Sequence, residues 1–149
     1  MLVNLDERHG LDVRFRRRTG AVPPVEVLVR FVSLASWEPD QFVAAFAGAH
    51  PGWRVLALHL DHLSWVESSP DDGSVVAAWA RPVADLAVVR VTEVSVRAEE
   101  TDGSVSARVG FELTFTDNAT VIWPAALASP ETTGLLATLL HGDTTTQPG

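Results

Sequence analysis

The sequence predicts an α+β protein in which a curved antiparallel sheet surrounds one buried helix. Residues 55–67 are an apolar run in which Leu56, Leu60 and Leu63 recur at helical spacing, and a helix that is apolar on nearly every side is a buried one. Beyond residue 74, several segments alternate apolar and polar residues, which is typical of strands. Within the run, the pattern also alternates for a few residues as a strand would, but its length of about twelve unbroken residues favours a helix over a strand.

Length and composition indicate a single domain. The chain has 149 residues, and 46% of them are apolar, which is enough for a core. We predict one domain over residues 1–142 and a polar C-terminal tail over residues 143–149. No run approaches the roughly 18 apolar residues of a membrane-spanning helix, and no signal peptide is recognisable. We therefore expect a cytoplasmic protein with no membrane partner.

Charge and cysteine content exclude two classes of function. The net charge of −8 argues against nucleic-acid binding, because neutralising phosphates needs a basic surface. The absence of cysteine excludes a disulfide framework and a thiolate metal site. The basic residues concentrate only at Arg14, Arg16, Arg17 and Arg18. This cluster is either a solvated strand end or a docking site for phosphopantetheine or an acidic carrier protein, since guanidinium groups suit phosphate geometry.

The first part of the chain is predicted to contain two strands and a short helix. Strands are expected at 11–18 and 25–31, where valine and phenylalanine alternate with polar residues. A short helix is expected to begin after Ser36, which suits an N-cap, and to stop at Gly48.

The second part of the chain is predicted to be an antiparallel meander with a closing helix. Strands are expected at 75–79, 86–100, 104–116 and 120–123, followed by a helix that begins at Ser129-Pro130. Asp102-Gly103 is a two-residue hairpin signal, which pairs residue 96 with residue 109. The apolar phase slips between Val91 and Val94, so we predict a bulge near Thr92-Glu93.

The turn before the predicted central helix resembles a catalytic motif. Residues 49–58 read Ala-His-Pro-Gly-Trp-Arg-Val-Leu-Ala-Leu. They are similar to the His-Phe-Pro-Gly-x-Pro-Val-x-Pro-Gly motif of hot-dog-fold 3-hydroxyacyl-thioester dehydratases that act on acyl carrier protein. Pro51, Gly52 and Val55 match, the histidine comes one place late, and Leu63 stands where the family has a helix carboxylate.

The resemblance implies a hot-dog fold and a lyase of fatty acid or polyketide biosynthesis, acting on an acyl or polyketide thioester. It also implies a homodimer whose sheets pair edge to edge through the strand at 86–100. In this interpretation His50 is the base, placed in a tight turn at the positive end of the helix. Because Leu63 cannot ionise, Asp61 or Glu67 supplies the acid. Substrate-binding residues are then Gly52, Trp53, Arg54, Leu58 and Trp65.

Several alternatives remain open from the sequence. His50 is equally well explained as a turn residue without a catalytic role. His59, Asp61 and His62 suggest a metal site, but their spacing on a helix does not point them one way, so neither a metal nor a cofactor is expected. Besides a dehydratase-like enzyme or a related thioesterase or cyclase, the chain suits a non-catalytic hot-dog subunit or hydrophobic-ligand-binding protein. A PH-like interaction module, built from the C-terminal strands and closing helix, is the third alternative.

Overall fold

A computed structural model describes residues 5–47, 52–98 and 103–141. The described chain contains three α-helices and two antiparallel sheets, so the predicted α+β class is confirmed. The chain divides into two compact units, Met1–Val83 and Ala84–Gly149, and the single domain expected over residues 1–142 stays a prediction. The predicted tail at 143–149 lies outside the described residues.

The N-terminal unit packs two helices against one face of a four-stranded sheet. Its elements are α1 (Leu5–Thr19), α2 (Val25–Leu34), β1 (Gln41–Ala47), β2 (Gly52–His59), β3 (His62–Ser68) and β4 (Val75–Pro82). The strands lie in the order β1-β2-β3-β4, and each neighbouring pair is antiparallel. The predicted strands at 11–18 and 25–31 are wrong, since both segments are helical. The helix expected after Ser36 is also wrong, because β1 occupies most of it.

Both helices are explained by the positions of their buried side chains. Leu11 and Phe15, four residues apart on α1, are fully buried, as expected for two positions on one helical face. On α2 the residues Val27, Leu28 and Phe31 are buried. The valine alternation that suggested a strand arose because the outer side of α2 also carries valine, which remains exposed.

The predicted central helix at 55–67 is wrong, because these residues form the β2–β3 hairpin. Val55 pairs with Val66 and Leu56 with Trp65 across the two strands. Side chains on both faces of the hairpin are buried. A strand that is buried on both faces reads as a continuous apolar run rather than as an alternation. The length of the run therefore favoured a helix although two strands and a turn account for it.

The turn of this hairpin contains neither glycine nor asparagine, so the sequence gives no turn signal there. Leu60 and Asp61 connect the paired residues His59 and His62, and Leu60 has a φ of 55°. The Leu60 amide donates a hydrogen bond of 2.8 Å to Asp40 Oδ2. Bulky residues rarely adopt positive φ, which costs about 1–2 kcal/mol. The hydrogen bond and the pairing on both sides of the turn therefore hold Leu60 in this conformation.

The C-terminal unit is a three-stranded sheet followed by a helix. Its elements are β5 (Leu86–Ala98), β6 (Val105–Phe115), β7 (Thr120–Trp123), a 3-10 turn (Ala125–Leu127) and α3 (Pro130–His141), and a further 3-10 turn (Val83–Asp85) precedes β5. The sheet order is β5-β6-β7. The predicted strands and closing helix are confirmed here, and β7 has the predicted bounds. Residue 96 pairs with Ala107 instead of residue 109, so the predicted register is wrong by two residues, although the faces agree.

The predicted bulge is confirmed and has a packing role. The register shifts between Val91 and Glu93, and the Glu93 carboxylate accepts a hydrogen bond of 2.9 Å from the Ala125 amide. Beneath this contact lies Gly110, where an added Cβ would stand 2.8 Å from the Ala125 nitrogen. The extra residue in β5 and the glycine in β6 together let the 3-10 turn pack against the sheet.

Candidate functional site

The structure places the two carboxylates predicted as alternative acids, Asp61 and Glu67, far apart on β3 and its turn. His50 and the turn that precedes β2 lie outside the described residues. Asp61 is in the hairpin turn with its side chain 84% exposed, whereas Glu67 is near the far end of β3. Six residues of strand at about 3.3 Å each separate them by roughly 20 Å. These two carboxylates therefore cannot serve one reaction centre within a single chain.

The backbone groups expected to stabilise an enolate oxygen are used by the sheet. The mechanism needs free N–H groups and the positive end of a helix near Leu56, Ala57 and Leu58. These residues lie in β2, which is paired on one side with β1 and on the other with β3. Their N–H groups are engaged in sheet hydrogen bonds, and no helix begins at this point of the described chain. An oxyanion site is therefore absent from this segment.

Arg54 and Glu67 face each other across the hairpin. They are register partners in β2 and β3, and Arg54 Nε lies 4.0 Å from Glu67 Oε2, with the two side chains 39% and 35% exposed. An ion pair of this kind contributes about 0–1 kcal/mol. The contact assigns both residues a cross-strand role at the edge of an otherwise apolar face.

The predicted substrate-binding residues divide between the two faces of the sheet. Trp53 is buried on the helix side, where its ring lies edge-on to Phe15 at 6.0 Å. Leu58 and Trp65 are buried on the opposite face, as follows from strand alternation. An added Cβ on Gly52 would lie 3.1 Å from the Ser68 carbonyl oxygen, so this glycine allows close chain packing. The five residues do not line one tunnel.

The arginine cluster of α1 is divided between structural and exposed positions. The Arg14 and Arg18 guanidinium groups lie 4.7 Å and 3.8 Å from the centroid of the Phe42 ring, within the range of cation–π attraction. Arg14 also donates to the Pro39 carbonyl oxygen at 3.2 Å, and Arg18 donates to that of Phe42. These two arginines hold α1 against β1. Only Arg16 and Arg17 are exposed and left for a carrier-docking role.

Burial changes the electrostatics of one of these arginines. Desolvation lowers the pKa of Arg14, and the nearby charge of Glu38 opposes that change. Arginine is the most strongly basic side chain, so Arg14 remains charged at neutral pH although its pKa is lowered. A cation that is desolvated and already bonded to its own chain is poorly placed to bind an external phosphate.

A polar cluster occupies the turn end of the first sheet. Strand pairing sets His59 opposite His62. His59 Nδ1 lies 3.9 Å from Asp40 Oδ1, and His62 Nδ1 lies 2.7 Å from Asp61 Oδ1. The sequence argument against a metal site assumed that these residues lie on a helix, and it does not apply to a hairpin. Even so, no three histidine or carboxylate side chains in the described segments are arranged to hold a metal ion.

The feature that the sequence analysis missed is an uncovered apolar face in the second sheet. β7 pairs only with residues 111–114 of β6, so residues 93–98 and 105–110 continue beyond it as a two-stranded ribbon. One face of this ribbon, which we call the valine face, consists of Val94, Val96, Ala98, Val105, Ala107 and Val109. Val94, Val96 and Val105 are 59%, 66% and 67% exposed.

The opposite face of the ribbon is polar, with Ser95 paired to Arg108, and both residues are exposed. The alternation of β5 and β6 in the sequence correctly indicates which side is apolar. Alternation does not indicate whether anything covers that side, which depends on the length of β7 and on the rest of the fold. The valine face could therefore not be recognised before the structure.

Comparison of the chain with protein-family models, with curated proteins and with solved structures gave no match. Across the described segments, none of the helices combines the length and the apolar character needed to cross a membrane.

Proposed function

We propose that this chain is a non-catalytic interaction module that binds another polypeptide through its valine face. The observation that carries this proposal is the exposure of Val94, Val96 and Val105 on one side of the ribbon. Single exposed apolar residues are ordinary, but a contiguous apolar patch on a folded protein commonly marks a binding surface. A two-stranded ribbon is also only marginally stable by itself, so a covering partner would stabilise it.

The free energy available from burying the valine face is consistent with reversible binding. Full burial of a valine side chain contributes about 1.5–3 kcal/mol, and the three valines are each 59–67% exposed. Covering them therefore contributes about 3–6 kcal/mol in total. Association costs about 4–15 kcal/mol in lost freedom of motion. The valine face alone does not hold a permanent complex, and a partner must add packing of its own.

The competing proposal is the dehydratase-like enzyme on an acyl thioester carrier, with Arg16 and Arg17 as its remaining docking residues. The pairing of β2 on both sides, which engages the N–H groups that an enolate oxygen would need, favours the interaction module. The hot-dog fold stays a prediction, and the helix that such a fold encloses does not lie at residues 55–67.

Photo-crosslinking tests the proposal. A benzophenone amino acid replaces Val96 in one variant and Ser95, on the polar face, in the matched control. We expect a cross-linked polypeptide from position 96 only, and we expect excess unlabelled wild-type chain to compete it away. Excess Val96→Glu protein should not compete, because a buried carboxylate is costly.

Equal cross-linking from positions 95 and 96 would contradict the interaction module. Turnover of a 3-hydroxyacyl thioester by the wild-type chain, lost in Glu67→Gln, would instead favour the enzyme. General acid–base groups usually contribute about 100-fold or more to the rate, so that loss would be measurable.

A further inference from the structure

We infer that the partner of the valine face is a second copy of this chain, with the two ribbons packed face to face about a two-fold axis. The inference rests on the proposed function and identifies its partner. It is carried by the register of β5 and β6, by the absence of charge on the valine face and by the size of that face.

The register makes two of the three rows of the valine face complementary to each other in a second copy. Val96 lies opposite Ala107, and Ala98 lies opposite Val105, so each of these two rows has one large and one small side chain. A two-fold axis between two such faces can run along the strands, or across them midway between these two rows. Either axis places each valine of the two rows over an alanine of the partner copy. The side chains of two copies then interlock, as inner faces of packed sheets do.

The valine face carries no charged side chain that would oppose this arrangement. The described positions of the valine face contain only valine and alanine, so no buried charge or like-charge contact arises when two copies meet.

The size of the face predicts a weak dimer. Six residues of β5, 93–98, extend about 20 Å at about 3.3 Å each, and two strands span about 10 Å. The projected face is therefore roughly 200 Å², and the pair buries on the order of 400–600 Å² of accessible surface. Stable complexes bury about 1,200–2,000 Å². We expect a dissociation constant between about 1 µM and 1 mM.

Analytical ultracentrifugation of the full chain tests the inference. The chain concentration should be varied between about 5 and 500 µM, which covers much of the expected range of the dissociation constant. Over this range the average mass should rise from 16.0 kDa toward twice that value. Val96→Glu and Val105→Glu should each weaken the dimer at least about tenfold, since each places a carboxylate in the contact. Ser95→Glu, on the polar face, is the matched control for the added charge and should weaken the dimer far less than either of these variants.

A second variant tests the interlocking itself. Ala107→Val adds apolar surface at an exposed position, so non-specific hydrophobic association would become tighter. If valines of one copy fill the alanine positions of the other, Ala107→Val should instead weaken the dimer by several-fold. Circular dichroism and the urea midpoint of each variant should match the wild type, which shows that the change acts on association.

The possible outcomes distinguish a failure of the second-copy inference from a failure of the proposed interaction module. A chain that stays monomeric at about 500 µM, or a dimer unaffected by both glutamate variants, overturns the second-copy inference. If position 96 still cross-links to a different polypeptide, the interaction module stands with another partner. If position 96 cross-links to nothing and the chain stays monomeric, both are overturned.

Discussion

At the scale of single residues, Leu60 is held in an unfavourable conformation. It has a φ of 55° and is 76% exposed, so no burial of its side chain offsets the strain. Asparagine tolerates positive φ much better than leucine. We expect Leu60→Asn to raise the free energy of unfolding by about 1 kcal/mol, measured by urea denaturation.

Leu60→Ala is the matched control for this substitution. Alanine removes the exposed side chain but has a Cβ and keeps the unfavourable φ, so stability should stay within about 0.5 kcal/mol of the wild type. Equal gains from asparagine and alanine would show that the exposed leucine, and not its backbone, causes the loss of stability.

Single residues also show what the sequence could not establish. Trp53 and Arg54 are neighbours in a motif-like segment, but the strand places them on opposite faces, one in the core and one beside Glu67. Arg14 and Arg18 read as a basic surface, yet both contact the ring of Phe42. Residue type and spacing do not specify such contacts, because they depend on which strand the residues meet.

At the scale of elements, the bulge of β5 and the 3-10 turn after β7 depend on Gly110. A Cβ at this position would stand 2.8 Å from the Ala125 nitrogen and 2.9 Å from Glu93 Cγ. We expect Gly110→Ala to lower the free energy of unfolding by about 1–3 kcal/mol, as overpacking does, measured by thermal or urea denaturation.

Gly134 supplies the matched control in the same unit. It lies in α3 with no atom within 4 Å of an added Cβ, so Gly134→Ala should stabilise the chain by about 1 kcal/mol through helix propensity. If both substitutions changed stability in the same direction, the close packing at Gly110 would not be the cause.

The elements differ in how well the sequence predicted them. β7 and residues 111–115 of β6 have one buried and one more exposed face, and residues 105–109 of β6 still alternate apolar and polar side chains, so alternation located both strands within a residue or so. The phase slip in β5 located its bulge for the same reason. In the N-terminal unit, β2 and β3 are buried on both faces, and α2 carries valine on its exposed side. Where the apolar pattern has no polar side, periodicity no longer separates helix from strand.

At the scale of the whole molecule, net charge should set the salt dependence of the dimer. Each copy carries a net charge of −8, so two copies repel one another at long range, while the valine face itself has no charge to screen. Raising sodium chloride from about 0.05 M to about 0.5 M shortens the screening length to a few ångströms. We expect the dissociation constant to fall several-fold, measured by ultracentrifugation.

The Ser95→Glu variant, which carries one more negative charge, should show a slightly steeper salt dependence than the wild type. Association that weakened with salt would indicate attraction between opposite charges, and would contradict a dimer formed through the valine face.

The division of the chain between Val83 and Ala84 also bears on synthesis in the cell. Every strand pairing of the first sheet joins residues within 41–82, so all of its segments leave the ribosome before the ribbon is complete. Translation at about 5–20 residues per second leaves several seconds before residues 84–149 are finished. The nascent chain can thus bury its most apolar hairpin early, and the valine face emerges late, when fewer unfolded apolar segments remain for it to bind wrongly.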